Sequence, residues 1–297
     1  MGQPLDPKKA FFYGRFVQAA YTMFRNQNPD PLRPEPSGIP PGWELGAWIH
    51  MSDFLLNRST PEFYGIVAHS LADTDSRVIA IRGTEGIVEW VDDAAAIPTP
   101  FRQVPGAGRV ASGFDRIYSS LKVVKRPLPG LKAAAAPETY EGSFADQLER
   151  EVLSREAERG LTAPEKRERR QRPTVVTGHS LGAALTTLFV MENASKKKFD
   201  ITTCCTFASP RVGNKEFARL FDQLPIDSWR IVNTLDLVPK LPPHIPVLLD
   251  YDHVDTEYSF SSANFARNNP VCWHAMETYL HFLDPSSAVG PECTPEE

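Results

Sequence analysis

The sequence predicts an α/β protein with a mostly parallel central sheet and helices on both faces. Strand-like and helix-like segments alternate through the second half of the chain, which is typical of parallel sheets. The 297 residues are 41% hydrophobic and 23% charged, which is enough apolar material for a large core. The sequence contains no internal repeat and nothing that marks a second core. We therefore expect one domain over residues 1–297.

The first half of the chain predicts a helix followed by two strands. The helix covers Lys9–Arg25, where apolar residues recur at offsets of three and four: Phe12, Phe16, Ala19 and Met23. Six prolines in Asn28–Gly42 predict an irregular loop. The segments Glu62–Ser70 and Arg77–Ile81 have the composition of strands. Since Asp73–Ser76 consists of turn residues, we expect it to join them.

The middle of the chain is a charged insertion at about residues 128–172. Ser143–Arg159 predicts a helix because its first half carries an apolar seam: Phe144, Leu148 and Val152. Glu149–Arg172 contains eight basic and six acidic side chains, so Gly160–Arg172 reads as an exposed, mobile connector. Basic residues gather in Lys166–Arg172, which leaves open a segment that docks on a partner or a lipid surface.

The second half of the chain supplies the alternation that predicts the parallel sheet. Its predicted strands are Thr174–Thr177, Ile201–Phe207 and Trp229–Leu235. Its predicted helices begin at Leu181 and cover Lys215–Phe221. Helices between parallel strands cover both faces of such a sheet.

Composition and charge exclude some classes of protein. A net charge of −5 provides no basic surface for phosphate backbones, so we expect no nucleic-acid partner. The four cysteines are too few for a disulfide scaffold, and Cys204 and Cys205 should point to opposite faces of a strand. We expect most of them to be reduced, although the state of Cys272 and Cys293 stays open. The first thirty residues lack a secretory pattern, so we expect a cytoplasmic location and leave a secreted mature form open.

The sequence Gly178-His179-Ser180-Leu181-Gly182 lies between a strand-like run and a helix-forming run. This is the context of a nucleophile elbow, in which a serine sits on a sharp turn between strand and helix. Glycines two residues on either side leave space for that turn. The sequence therefore predicts Ser180 as a nucleophile, the alternative being a glycine-rich turn with a structural serine.

A serine nucleophile needs an imidazole base and an acid that orients the base. With this elbow, the acid and then the histidine follow the serine along the chain. Asp236 comes after a predicted strand, at the edge where such sheets place their sites, and is the predicted acid. Three other aspartates compete but read more simply as a polar hairpin: Asp250, Asp252 and Asp255.

Four histidines follow the predicted acid, and His274 fits the role of base. It stands in a predicted loop immediately before the helical run Ala275–Leu283. His244 follows two prolines in a turn, His253 lies among the aspartates, and His281 falls within the helix. We predict that His179, inside the elbow, packs and forms hydrogen bonds instead of reacting.

Acyl transfer also needs donors that face the developing oxyanion. The backbone N–H of Leu181, the residue after the nucleophile, is the first. The second comes from a loop after an earlier strand, and Thr84 in Arg82-Gly83-Thr84 occupies that place. Glycine at position 83 lets the backbone turn this donor inward.

Several stretches together resemble the fungal-type class 3 lipases, from about Phe63 to about Leu283. They are Tyr64-Gly65, Ile81-Arg82-Gly83-Thr84, Gly178-His179-Ser180-Leu181-Gly182, Ser209-Pro210-Arg211-Val212-Gly213-Asn214, Asn233-Thr234-Leu235-Asp236-Leu237-Val238-Pro239 and Trp273-His274. The resemblance implies an α/β-hydrolase that cleaves lipid esters without a metal or organic cofactor. It implies the triad Ser180, Asp236 and His274, with Thr84 and Leu181 as oxyanion donors.

The resemblance also implies a mobile lid at about residues 85–93. Ile87, Val88 and Val91 lie at helical spacing and Trp90 accompanies them, so a short amphipathic helix could open at a lipid surface. We expect a triacylglycerol lipase with peripheral contact to lipid. A phospholipase, a galactolipase or an aromatic-ester esterase of the family remains open, as does a non-catalytic interaction protein. Oligomeric state, chain length and positional selectivity are not determined by these patterns.

Overall fold

The computed structural model describes residues 4–26, 30–52, 60–72, 76–84, 96–127, 136–158, 172–245 and 249–295. The helices are α1 (Pro7–Arg25), α2 (Ser112–Tyr118), α3 (Phe144–Glu158), α4 (Leu181–Lys196), α5 (Lys215–Phe221), α6 (Pro270–His274) and α7 (Met276–Leu283). The strands are β1 (Trp43–Ser52), β2 (Pro61–Ser70), β3 (Arg77–Ile81), β4 (Pro98–Pro100), β5 (Arg109–Ala111), β6 (Lys122–Lys125), β7 (Pro173–His179), β8 (Asp200–Phe207), β9 (Gly213–Asn214), β10 (Asp227–Asn233), β11 (Tyr251–Asp252) and β12 (Thr256–Phe260).

An eight-stranded sheet in the order β12-β10-β8-β7-β3-β2-β1-β6 forms the centre of the fold. The five strands from β12 to β3 are parallel, whereas β2, β1 and β6 extend the sheet antiparallel. The prediction of a mostly parallel sheet is confirmed. A smaller antiparallel sheet has the order β11-β9-β5-β4.

Helices cover both faces of the central sheet, as predicted. Side chains of α1 and α7 pack on one face, and those of α2, α3, α4 and α5 pack on the other. Neighbouring strand residues alternate between the two cores, so Cys204 faces one and Cys205 the other. Within the described part of the chain, no helix is both long and apolar enough to cross a membrane.

Several predicted elements appear where the patterns placed them. The first helix begins at Pro7, earlier than predicted, because the Asp6 side chain accepts hydrogen bonds from the backbone N–H groups of Lys8 and Lys9. Helix α5 has its predicted bounds. The lid residues Ile87, Val88, Trp90 and Val91 lie outside the described residues, as does most of the connector at 160–172.

Strand β1 was not predicted from the sequence. Seven consecutive residues, Leu45–Met51, are buried, so the period of two that marks a half-buried strand is missing.

The predicted polar hairpin at residues 250–255 is wrong. Strand β11 pairs with β9 in the small sheet, and β12 joins the central sheet beside β10.

The cysteines also differ from the expectation. Cys272 and Cys293 form a disulfide, while Cys204 and Cys205 are free and buried. Half of the cysteines are therefore reduced, instead of most of them. The disulfide joins α6 to a 3-10 turn at Pro291–Cys293.

Candidate active site

Ser180 sits on a strained turn between β7 and α4. Its φ of 57° and ψ of −126° place a non-glycine residue at positive φ, where backbone strain is common at functional sites. The Ser180 N–H donates to the carbonyl of Phe207 on the neighbouring strand, 2.9 Å away. A Cβ at Gly182 would lie 2.2 Å from the carbonyl oxygen of Ile81, so only glycine fits there. These contacts are those of a nucleophile elbow.

Asp236 and His274 form a buried pair. His274 Nδ1 lies 2.7 Å from Asp236 Oδ2, and the two residues are 3% and 2% exposed. The carboxylate also accepts the backbone N–H of Val238 on Oδ1 at 2.9 Å. Since a carboxylate oxygen accepts, Nδ1 carries a proton, and in the neutral imidazole Nε2 is then able to accept one. This is the tautomer that a general base needs.

The structure places His274 differently from the sequence prediction. It is the last residue of the short helix α6, not part of a loop, and α7 begins two residues later. Asn233, at the end of β10, donates from its side-chain amide to the carbonyl of Trp273 at 2.8 Å. This bond holds the residue before His274 against the strand that leads to Asp236.

Tyr279 contributes a third donor to the acid, one that the sequence did not predict. Its hydroxyl donates to Asp236 Oδ2 at 2.7 Å and accepts the N–H of Asn233 at 3.2 Å. Burial and the nearby Asp236 charge raise the pKa of Tyr279 well above its ordinary value, so the phenol keeps its proton. Tyr279 lies on the buried face of α7, where a tyrosine reads as a core residue in sequence.

The elbow and the base lie side by side. His179, the chain neighbour of Ser180, contacts the His274 carbonyl through Nε2 at 2.8 Å, and the two rings are 4.6 Å apart between centroids. Both Ser180 Oγ and His274 Nε2 are buried and have no hydrogen-bond partner among the described residues. The two atoms that a proton transfer would use are therefore free. As predicted, His179 packs and forms hydrogen bonds.

The predicted oxyanion donors flank Ser180. Leu181 is the first residue of α4, so its N–H has no acceptor within the helix. Thr84 follows β3 and is buried. A Cβ built on Gly83 would lie 2.7 Å from Ser180 Cβ, which shows how closely the loop before Thr84 approaches the serine.

Arg82 anchors the same loop from below. Its guanidinium donates from Nη1 to the carbonyl of Gly83 at 2.7 Å, and from Nε and Nη2 to the carbonyl of Phe63 at 3.1 and 2.7 Å. It also lies 3.5 Å from the ring centroid of Phe24 and 4.0 Å from that of Tyr64.

Within the described ranges, no cluster of three or more His, Cys, Asp or Glu side chains could hold a metal ion.

The arrangement is that of an α/β-hydrolase: an elbow serine after a parallel strand, beside a buried histidine–aspartate pair at the carboxyl edge of the sheet. The family model for lipase (class 3) matches residues 78–245, and the chain belongs to that family. Among curated proteins, it is 29% identical over 255 residues to phospholipase A1-II 1 of Oryza sativa subsp. indica, a match that covers 80% of this chain and 57% of the relative. The chain thus spans less than two thirds of that relative's length.

Solved structures share the fold. Lipase II from Rhizopus niveus aligns with a TM-score of 0.59 and 20% identity, covering 86% of this chain and 81% of the other. A triacylglycerol lipase described as having a serine protease triad in its catalytic centre aligns with a TM-score of 0.57 and 20% identity, covering 85% and 79%. The predicted family and fold class are confirmed.

Proposed function

We propose that the protein hydrolyses acyl ester bonds of glycerolipids, with Ser180 as the nucleophile and His274 as the base. Asp236 orients the base, and the N–H groups of Thr84 and Leu181 bind the oxyanion. One observation carries the proposal: the strained, buried Ser180 follows His179, which contacts the His274 backbone, and neither Ser180 Oγ nor His274 Nε2 has a hydrogen-bond partner among the described residues. Membership of the class 3 lipase family supports the same reaction.

The reaction proceeds in two halves. Ser180 Oγ forms a bond to the acyl carbon while its proton passes to His274 Nε2, and the carbonyl electrons move to the oxygen in the oxyanion site. Collapse breaks the bond to the leaving alcohol, which takes the proton from Nε2. Water then attacks the acyl-enzyme by the same route, releases the fatty acid and restores Ser180. The Asp236 carboxylate stabilises the imidazolium in both halves.

A phospholipid is the first substrate to test, because the curated relative is named a phospholipase A1. Triacylglycerol, the substrate class expected from the sequence, is the main comparison substrate. Galactolipid and aromatic esters complete the panel.

Exposed apolar side chains beside the site support peripheral contact with a lipid surface. Leu237 follows Asp236 directly and is 53% exposed, and Val271 in α6 is 62% exposed. Because exposed side chains of this kind favour contact with an apolar phase, they would hold the carboxyl edge of the sheet against the lipid.

The decisive experiment compares the purified wild type with Ser180→Ala. Fatty-acid release is measured from phosphatidylcholine vesicles and triacylglycerol emulsions, and p-nitrophenol release from p-nitrophenyl butyrate. We expect turnover to fall roughly a millionfold in the variant. Ser228→Ala is the matched control, because the Ser228 hydroxyl is also buried but lies at the opposite edge of the sheet. A folded wild type no faster than Ser180→Ala on every ester would favour a non-catalytic interaction protein.

A further inference from the structure

Tyr21 of α1 links the oxyanion loop to the elbow, although it lies far outside the residues that the family model matches. Its hydroxyl accepts the N–H of Gly83 at 2.8 Å. The same oxygen lies 2.8 Å from Nδ1 of His179. A single buried phenol thus contacts the backbone before Thr84 and the side chain before Ser180.

The direction of each bond follows from proton counting. His179 Nε2 faces the carbonyl of His274, which can only accept, so Nε2 carries a proton. Burial and the nearby His274 hold the pKa of His179 well below its ordinary value, so the ring is neutral and Nδ1 has no proton. Tyr21 must therefore donate to Nδ1 while it accepts from Gly83. A continuous chain runs from the Gly83 N–H through Tyr21 and His179 to the backbone of His274.

Hydrogen bonds hold the Gly83 backbone on both sides. The Tyr21 hydroxyl accepts the Gly83 N–H, and Arg82 Nη1 donates to the Gly83 carbonyl at 2.7 Å. The Gly83 carbonyl and the Thr84 N–H belong to one trans peptide unit, in which they point in opposite directions. Fixing the carbonyl on the guanidinium therefore fixes the Thr84 N–H on the other side, away from Arg82.

We infer that Tyr21 is a positioning residue for catalysis, which aligns the Thr84 N–H with the oxyanion and holds the His274 backbone through His179. This inference rests on the proposed function. Tyr21 does not touch the reacting atoms; it acts through Gly83 and His179. Its removal should weaken binding of the transition state more than binding of the substrate.

The test is Tyr21→Phe, which keeps the ring and removes the hydroxyl. Titration with a fluorophosphonate, which reacts covalently with the active serine, gives the concentration of active sites, so that kcat refers to folded enzyme only. With p-nitrophenyl butyrate we expect kcat to fall about 10- to 100-fold, less than the loss of an entire oxyanion donor, with KM changed less than about twofold. Affinity for an alkyl boronic acid, which forms a tetrahedral anionic adduct with the serine, should fall by a similar factor. Affinity for an uncharged ether analogue of the substrate should not change.

Tyr118→Phe is the matched control, because Tyr118 is also buried and its hydroxyl donates to Glu192, near the end of α4 away from Ser180. We expect this variant to lose thermal stability but to keep kcat and boronic-acid affinity. A Tyr21→Phe enzyme with wild-type kcat, or one that loses ether and boronic-acid affinity equally, would overturn the inference. A wild type no faster than Ser180→Ala would instead overturn the proposed function.

Discussion

Replacing Asp236 with asparagine tests the acid of the proposed triad. The carboxylate accepts three hydrogen bonds: Oδ2 from His274 and Tyr279, and Oδ1 from the Val238 N–H. An amide has a single oxygen. If this oxygen takes the Oδ2 position, the NH₂ group faces the Val238 N–H, donor against donor. If the NH₂ group takes the Oδ2 position, His274 must shift its proton from Nδ1 to Nε2. Nε2 can then no longer accept the proton of Ser180.

The magnitude follows from the charge and the tautomer. The centres of the carboxylate and the imidazolium lie about 4 Å apart, which corresponds to about 4 kcal/mol of attraction at an effective dielectric constant near 20. Losing that charge alone slows the reaction roughly a thousandfold. The unfavourable tautomer adds to this loss, and the same change in a serine protease triad costs about ten thousandfold. We therefore expect kcat of Asp236→Asn to fall between about 10³- and 10⁴-fold.

The assay is p-nitrophenyl butyrate hydrolysis by enzyme normalised to active sites, with thermal unfolding measured alongside. Tyr279→Phe is the comparison variant, because it removes one donor to the same oxygen but keeps the negative charge and the tautomer. Because the acceptor is an ionised carboxylate, this hydrogen bond contributes about 1.5–3 kcal/mol, so kcat of Tyr279→Phe should fall by no more than roughly 150-fold, less than for Asp236→Asn. The two variants thus separate the electrostatic role of the acid from its hydrogen bonding.

A folded Asp236→Asn enzyme that keeps more than a tenth of the wild-type kcat would refute this reasoning. The acid would then have to be sought among the aspartates that the sequence left as alternatives: Asp250, Asp252 and Asp255. None of these forms the bond to His274 Nδ1 that Asp236 makes.

Two further predictions concern stability. The Cys272–Cys293 disulfide closes a loop across 21 positions, so dithiothreitol should lower the free energy of unfolding in urea by about 3 kcal/mol; an unchanged midpoint would contradict this. Burial raises the pKa of Asp255 to about 7, against the lowering effect of its Ser228 hydrogen bond. The folded state therefore keeps a proton that the unfolded chain releases above pH 4, and stability falls as the pH rises from 4 to 7. Asparagine tolerates the positive φ of 70° at this position. Asp255→Asn should therefore raise the free energy of unfolding by up to about 4 kcal/mol at pH 8 and hardly change it at pH 4. Equal gains at the two pH values would refute this prediction.

The elbow and the acid could be predicted because patterns of neighbouring residues determine where they lie. The elbow needs glycines at fixed offsets from Ser180 and a strand and helix on either side, so its geometry is encoded within a few neighbouring residues. Asp236 was predictable because it follows a strand end. The strand itself ends at Asn233, two residues earlier than predicted, and a short turn carries the carboxylate to His274.

The residues that could not be predicted from the sequence occupy buried positions, where their pattern is the same as that of an ordinary core residue. Tyr21 and Tyr279 lie on the buried faces of helices, and only their hydroxyl groups distinguish them from phenylalanines. Which polar group each hydroxyl meets depends on contacts between residues far apart in the chain, which periodicity does not encode. Strand β1 was missed for a related reason, because burial on both faces removes the alternation that identifies a strand.

The two missed tyrosines belong to one layer of the fold, and this has a consequence for catalysis. Helices α1 and α7 share a face of the sheet and are joined by a hydrogen bond from Gln18 Nε2 to Glu277 Oε1 at 2.9 Å. From this layer, Tyr21 reaches the oxyanion loop and Tyr279 reaches Asp236. A shift of α1 against α7 would therefore move the oxyanion donors relative to the acid and the base. In the proposed mechanism the N-terminal helix thus supports the catalytic residues, although the family model begins only at residue 78.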